Sequence, residues 1–100
     1  LYEQGMHEEI LKYLKGQSAI SQDNADYFRY LARSSEALGR RSEAFRATGK
    51  MYALQGDWKM AAYQFKQAQR VSDGDFFTMS EVDADLREAE DHLKQDKPHH

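Results

Sequence analysis

Apolar positions recur at three- and four-residue steps along most of the chain, the spacing that gathers side chains on one face of a helix. Met6, Ile10, Tyr13 and Leu14 form the first stripe, and Phe28, Leu31, Ala32, Ser35 and Leu38 the second. Ala44, Phe45, Thr48, Met51 and Tyr52 form the third, Trp58, Ala61, Ala62, Phe65 and Ala68 the fourth, and Met79, Val82, Leu86, Ala89 and Leu93 the fifth. Five amphipathic helices are expected, near 1–15, 24–38, 41–55, 58–71 and 76–95. The sole proline is Pro98, so nothing local interrupts helix before the tail.

The breaks between stripes carry residues suited to ending and starting helices. Ser21 to Asn24 offers capping side chains before the second helix, and Asp57 is placed to cap the fourth. Gly39 and Gly56 can take the left-handed conformation that closes a helix. Asp73-Gly74-Asp75 is the next break, and Thr78 with Glu81 has the reciprocal spacing of a capping box for the fifth helix. The fold class is therefore all-α, with antiparallel hairpins joined by short turns. A single domain over 1–95 is followed by a tail at 96–100.

Internal repetition sharpens this picture. Gly5 and Gly39, like Ile10 and Ala44, stand 34 residues apart, and Gly39 and Gly56 stand 17 apart. Helix-turn-helix repeats of the tetratricopeptide type have a period of about 34 residues. Over 42–75, Phe45, Gly49, Tyr52, Gly56, Ala61, Phe65 and Ala68 fall in the order and spacing of the tetratricopeptide consensus, which this segment resembles. Gly49 and Ala61 would allow paired helices to approach closely, with Tyr52 and Phe65 filling the space beside them. Thr48 departs from the consensus Leu, and Asp73 lies close to where the consensus has Pro. Residues 25–58 can also be framed as a repeat through Phe28, Leu31, Ala32, Gly39 and Ala44. The resemblance implies a right-handed superhelix of stacked hairpins that binds a protein or peptide.

A narrower resemblance lies in the order of segments. Leu31-Ala32, Glu36-Ala37-Leu38-Gly39-Arg40, Glu43-Ala44, Tyr52-Ala53-Leu54-Gln55-Gly56-Asp57, and Ala61-Ala62 with Phe65 and Ala68 look like the C-terminal tetratricopeptide region of BepA-type zinc metallopeptidases. Gly74-Asp75-Phe76-Phe77, Ser80 and Asp83-Ala84-Asp85-Leu86-Arg87-Glu88 resemble the loop and helix that follow the last repeat there. This resemblance implies a periplasmic, membrane-associated parent protease engaged in outer-membrane protein assembly and quality control. Its zinc ligands would lie in a separate N-terminal domain, so no catalytic or metal residue is carried onto this chain. Because the chain begins at Leu1 rather than Met, a longer parent chain is expected. The alternative parent is an unrelated cytosolic scaffold or secretion chaperone.

Composition removes several classes. The net charge is −3 and acidic residues crowd the C-terminal third, which is unlike the basic stripe that a phosphate backbone requires. Nucleic acid is not an expected partner. No run reaches the roughly 20 apolar residues of a membrane span, and no apolar core near Leu1 marks a signal peptide. Cysteine is absent, excluding disulfides and thiolate metal sites. His7-Glu8-Glu9-Ile10 opens like a zinc-protease motif, but Leu11 occupies the place of its second histidine. His99 and His100 carry no functional weight. The acids from Asp83 to Asp91 alternate with a core stripe and are expected to form a solvated face. No cofactor is expected in this chain, and zinc only in the protease parent.

The candidate binding residues are Arg29, Tyr30, Arg33, Arg46 and Lys50. Arg29 and Arg33 share one helical face and recur 17 residues later as Arg46 and Lys50. Such a pair can grip a carboxylate on a bound segment, or it can be solvated charge balanced by Asp26, Glu36 and Glu43. Tyr27, Tyr30 and Tyr63 fall off the main stripes and suit a groove, whereas Phe28, Tyr52 and Phe65 suit the core. Exposed repeat ends also allow self-association.

Overall fold

A computed structural model describes residues 2–16 and 24–95. Among these, five helices and no strands occur: α1 (Tyr2–Gly16), α2 (Ala25–Ala37), α3 (Arg41–Leu54), α4 (Trp58–Val71) and α5 (Phe76–Gln95). The expected capping residues Ser21 to Asp23 and the tail at 96–100 lie outside the described residues, as does the side chain of the stripe position Leu14. No helix among the described residues is long and apolar enough to cross a membrane.

The turns after α2 and α3 repeat each other. Gly39 at φ +75° and Gly56 at φ +80° hold the left-handed conformation, which costs glycine no steric clash. In the first turn Gly39 N–H donates to Glu36 O at 3.0 Å and Arg40 N–H to Ser35 O at 2.8 Å; in the second, Gly56 N–H donates to Ala53 O and Asp57 N–H to Tyr52 O, both at 3.0 Å. Both are Schellman motifs, which satisfy the last carbonyls of a helix. A Cβ at either glycine would meet no atom within 4 Å. Gly39 and Gly56 therefore shape turns rather than close packing between helices.

Starts are capped by side chains where the sequence offers them. Asn24 Oδ1 accepts from Asp26 N–H at 2.8 Å and Asp57 Oδ1 from Met60 N–H at 3.1 Å. For α5 the expected box of Thr78 with Glu81 is replaced by Asp75, whose Oδ1 accepts from Thr78 N–H at 2.8 Å. The helix begins three residues earlier than that box requires, which places Thr78 inside the first turn.

Consecutive helices run antiparallel. Trp58, at the start of α4, stacks on His92 near the end of α5, with ring centroids 3.8 Å apart. At the other end of α4, Gln69 Nε2 donates to Asp83 Oδ1 at 2.7 Å. Across α1 and α2, His7 Nδ1 and Ser34 Oγ lie 3.4 Å apart, and Arg40 pairs with Glu8 at 2.8 Å. The body measures 57 × 27 × 18 Å, an elongated shape with a core in two parts. Tyr27, Phe28 and Ala47 pack with Leu31, Ala32 and Met51, while Ala61, Ala62, Phe65, Leu86 and Ala89 pack with Tyr52, Ala53, Trp58 and Leu93.

Helix α3 belongs to both parts, touching α2, α4 and α5. That position explains why its apolar stripe is incomplete: its buried residues are Ser42, Ala47 and Gly49, none on the expected stripe. Ala44 and Phe45 are half-buried and line a recess of about 230 Å³ with Ala32 and Gln64. Small residues sit where helices approach most closely. A Cβ on Gly49 would fall 2.5 Å from Phe65 Cε1, and Ala61 and Ala68 have no exposed surface.

Candidate functional site: a groove between three helices

Helices α2, α3 and α5 border an open groove of about 590 Å³, lined by Tyr27, Phe28 and Leu31 from α2, Glu43, Arg46 and Lys50 from α3, and Phe77, Thr78 and Glu81 on α5, with Asp75 just before it. Tyr27 and Phe28 meet edge to face at 4.9 Å and are almost wholly buried, giving this wall a rigid base. Burial pushes the Tyr27 phenol above its ordinary 10.0, while the nearby Arg46 charge pulls it back in part. Phe77, by contrast, is 71% exposed and its neighbour Phe76 88%. An apolar ring so placed borders the groove without being consumed by the core.

The charges lie beneath and beside this wall. Arg46 Nε donates to Asp85 Oδ2 at 2.6 Å and Arg46 Nη2 lies 3.6 Å from Glu81 Oε2; Lys50 Nζ lies 3.5 Å from Asp85 Oδ1. One α5 carboxylate thus holds both α3 cations. The Asp85 side chain is only 12% exposed, so this acid is not part of a solvated face, in contrast to the expectation for the run from Asp83 to Asp91.

The five expected binding residues do not converge. Arg46 and Lys50 reach the groove, whereas Arg29, Tyr30 and Arg33 do not line it. Arg29 instead pairs with Asp26 at 2.9 Å, both side chains more than half exposed. Tyr30 and Tyr63 are exposed as expected of off-stripe aromatics, but Tyr27 is 7% exposed and belongs to the core that floors the groove. Leu31 and Ser34 lie four and seven residues on, so Tyr27 stands at the edge of one broad buried face of α2 that also holds Phe28 and Ser35. Phe77 carried its own signal: two successive aromatics at a helix start, ahead of the stripe that begins at Met79.

Among the described residues, no three His, Cys, Asp or Glu side chains converge to hold a metal ion. The chain matches no protein-family model, no curated protein and no solved structure.

Proposed function

We propose that this chain is a protein-interaction module and that the groove between α2, α3 and α5 receives an extended segment of a partner protein. The observation that carries this reading is Phe77, an aromatic ring 71% exposed at the rim of a groove whose opposite wall is buried aromatic surface. Exposed apolar side chains beside a concavity mark places where partners bind. Polar groups in the groove would fix the register of the bound segment, while the exposed Phe77 ring supplies its apolar contact.

The tetratricopeptide-like residues from Phe45 to Ala68 support a right-handed stacking of these hairpins, continued by further repeats or by partner helices. The segment order supports a parent of the BepA-like zinc metallopeptidase type, in the periplasm, with the catalytic zinc in another domain and this module presenting substrates or assembly partners. Reading the coding sequence upstream of Leu1 tests the parent: a helix with a complete zinc-protease motif supports it, and its absence favours a scaffold or chaperone.

The groove itself is tested by selecting seven-residue peptides from a random displayed library against the chain and then measuring their affinity for variants. Phe77→Asp should weaken the selected peptides tenfold or more, whereas reversing Arg29 and Arg33 to Glu should leave them bound. The opposite pattern would move the binding face to the exposed flank of α2.

A further inference from the structure

The charges in the groove state which chemistry it accepts. A bound carboxylate would need a free cation, yet Arg46 is fixed at 2.6 Å to Asp85 and Lys50 lies 3.5 Å from the same carboxylate. Asp85 is held on α5 with 12% of its side chain exposed, so an incoming acid would have to compete with an anion already built into the helix packing. Glu81 adds a second carboxylate 3.6 Å from Arg46 while 42% exposed. Glu43 lines the same groove and makes no ion pair with a described residue. Glu43, Glu81 and Asp85 together outnumber the two cations, and Glu43 and Glu81 line the groove along with Phe77.

We propose that the groove takes a basic segment, one presenting Lys or Arg next to an apolar side chain, rather than an acidic one. This rests on the reading of the groove as the interaction site and adds the class of its occupant. An ammonium or guanidinium group entering the groove meets the Glu43 carboxylate and the 42% exposed Glu81 side chain, and the face of Phe77 offers a cation–π contact. The neighbouring apolar side chain rests on the same ring and on Leu31. A neutral apolar peptide would gain only the second contact. An acidic one would meet Glu43 and Glu81 as like charges, which disfavours wrong partners more strongly than matching charge rewards right ones.

The test uses three synthetic peptides that differ only in charge: acetyl-Gly-Lys-Phe-Gly-Lys-Phe-Gly-amide and the versions with Gln or Glu in place of both Lys. Each is titrated into the isotope-labelled chain while backbone amide resonances are followed. The Lys peptide should shift the amides of Leu31, Glu43, Phe77 and Glu81 and bind at least tenfold more tightly than the Glu peptide at low salt. That preference should shrink as salt rises, because the screening length falls from about 8 Å at physiological ionic strength to about 3 Å at 1 M. Glu43→Gln, which leaves the Arg46–Asp85 pair intact, should weaken the Lys peptide threefold or more without moving the Gln peptide. Equal affinity for the three peptides, or preference for the Glu peptide, with shifts still confined to the groove, would overturn the inference about charge while leaving the groove as the interaction site. If no peptide moved the groove resonances, the interaction site itself would be wrong and the inference would fall with it.

Discussion

The carboxylate of Asp73 caps helix α3 from 31 residues away, its Oδ1 accepting from Ser42 N–H at 2.7 Å and its Oδ2 from Arg41 N–H at 2.9 Å. Arg40, which precedes α3, provides no side-chain cap of its own, so the loop after α4 satisfies amides that would otherwise have no protein partner. The contact is reciprocal. Ser42 Oγ accepts from Asp73 N–H at 3.0 Å and donates to Ala68 O at 2.9 Å. Asp73 stands close to where the tetratricopeptide consensus has proline, and here that part of the loop is fixed by hydrogen bonds.

Asp73→Ala should therefore lower stability by about 1–2 kcal/mol, the effect of losing a helix N-cap. Asp73→Asn keeps one accepting oxygen and should fall between Ala and the parent. Thermal melts of the three proteins decide it, with a drop of about 4–8 °C expected for each kcal/mol in a domain of this size. An alanine variant as stable as the parent would mean that water replaces the cap without loss.

The same cap gives the fold an acid dependence. Partial burial raises the Asp73 carboxyl, but the hydrogen bonds from Ser42 and Arg41 outweigh it and hold the group below its ordinary 3.8. A carboxylate whose folded value is depressed contributes stability that is fully present above its unfolded value and is lost as pH falls through the folded one. The stability gap between the parent and Asp73→Asn should therefore be constant above about pH 5 and close progressively below about pH 4. Urea unfolding across that range measures the gap. A gap that widens in acid would contradict the assignment of the carboxylate as the cap.

Gly49 and Gly5 should respond in opposite directions to alanine. At Gly49 the added Cβ would fall 2.5 Å from Phe65 Cε1, and the Phe65 ring is 1% exposed with little room to retreat. Overpacking of about 1–3 kcal/mol should outweigh the helix-propensity gain of about 1 kcal/mol. At Gly5, in α1, a Cβ would meet nothing within 4 Å, and only the propensity gain remains. Stabilised Gly49→Ala would displace Phe65 from the crossing of α3 and α4.

The ion pairs should differ by their burial. Asp85→Ala leaves Arg46 with Glu81 alone and Lys50 with no ion pair to a described residue, both cations being less than one-third exposed, and a loss of about 1–3 kcal/mol is expected, between exposed and fully buried pairs. Arg29→Ala breaks a pair with side chains 53% and 62% exposed and should cost about 0.5 kcal/mol or less. Equal effects in chemical denaturation would return Asp85 to the solvated surface.

These contrasts mark where sequence was sufficient. Gly39 and Gly56 declared their turns because a left-handed residue after an amphipathic stripe has few other uses, and the crossing at Gly49 followed from a small residue spaced against Phe65. The five helices were legible for the same reason: their signals are local. The groove was not, since its chemistry depends on partners far apart in the chain. Arg46 and Lys50 were visible as a basic pair four residues apart, but Asp85 lies 39 residues beyond Arg46, in an acidic run that periodicity alone assigns to solvent. Asp73 was visible as a departure from a repeat pattern, while its target, the start of α3, becomes apparent only when α3 and α4 fold back on each other. Tyr27 was misplaced because the buried face of α2 is wider than the expected stripe and takes in Tyr27 and Ser34 at its edge.

Two buried serines offer the last and sharpest contrast. Ser35 in α2 and Ser42 in α3 both have no exposed surface, yet Ser42 Oγ is fully engaged with Ala68 and Asp73 whereas Ser35 Oγ has no hydrogen-bond partner. A buried hydroxyl without a partner costs about 1–3 kcal/mol of desolvation, and serine is also a poorer helix former than alanine by a few tenths of a kcal/mol. Ser35→Ala removes both penalties and opens a void of only one oxygen atom, so stability should rise by about 0.5–1.5 kcal/mol. Ser42→Ala deletes two hydrogen bonds and leaves Asp73 N–H to find another acceptor, while Ala68 O keeps the bond from Ser72 N–H at 3.1 Å, so stability should fall by about 1–3 kcal/mol. The same substitution at equal burial is thus expected to carry opposite signs, read directly as the shift of the urea midpoint with an unchanged slope. A midpoint lowered by Ser35→Ala would show that its hydroxyl is bonded within the folded chain, and one unmoved by Ser42→Ala would show that the link between α3 and the loop after α4 contributes nothing to the fold.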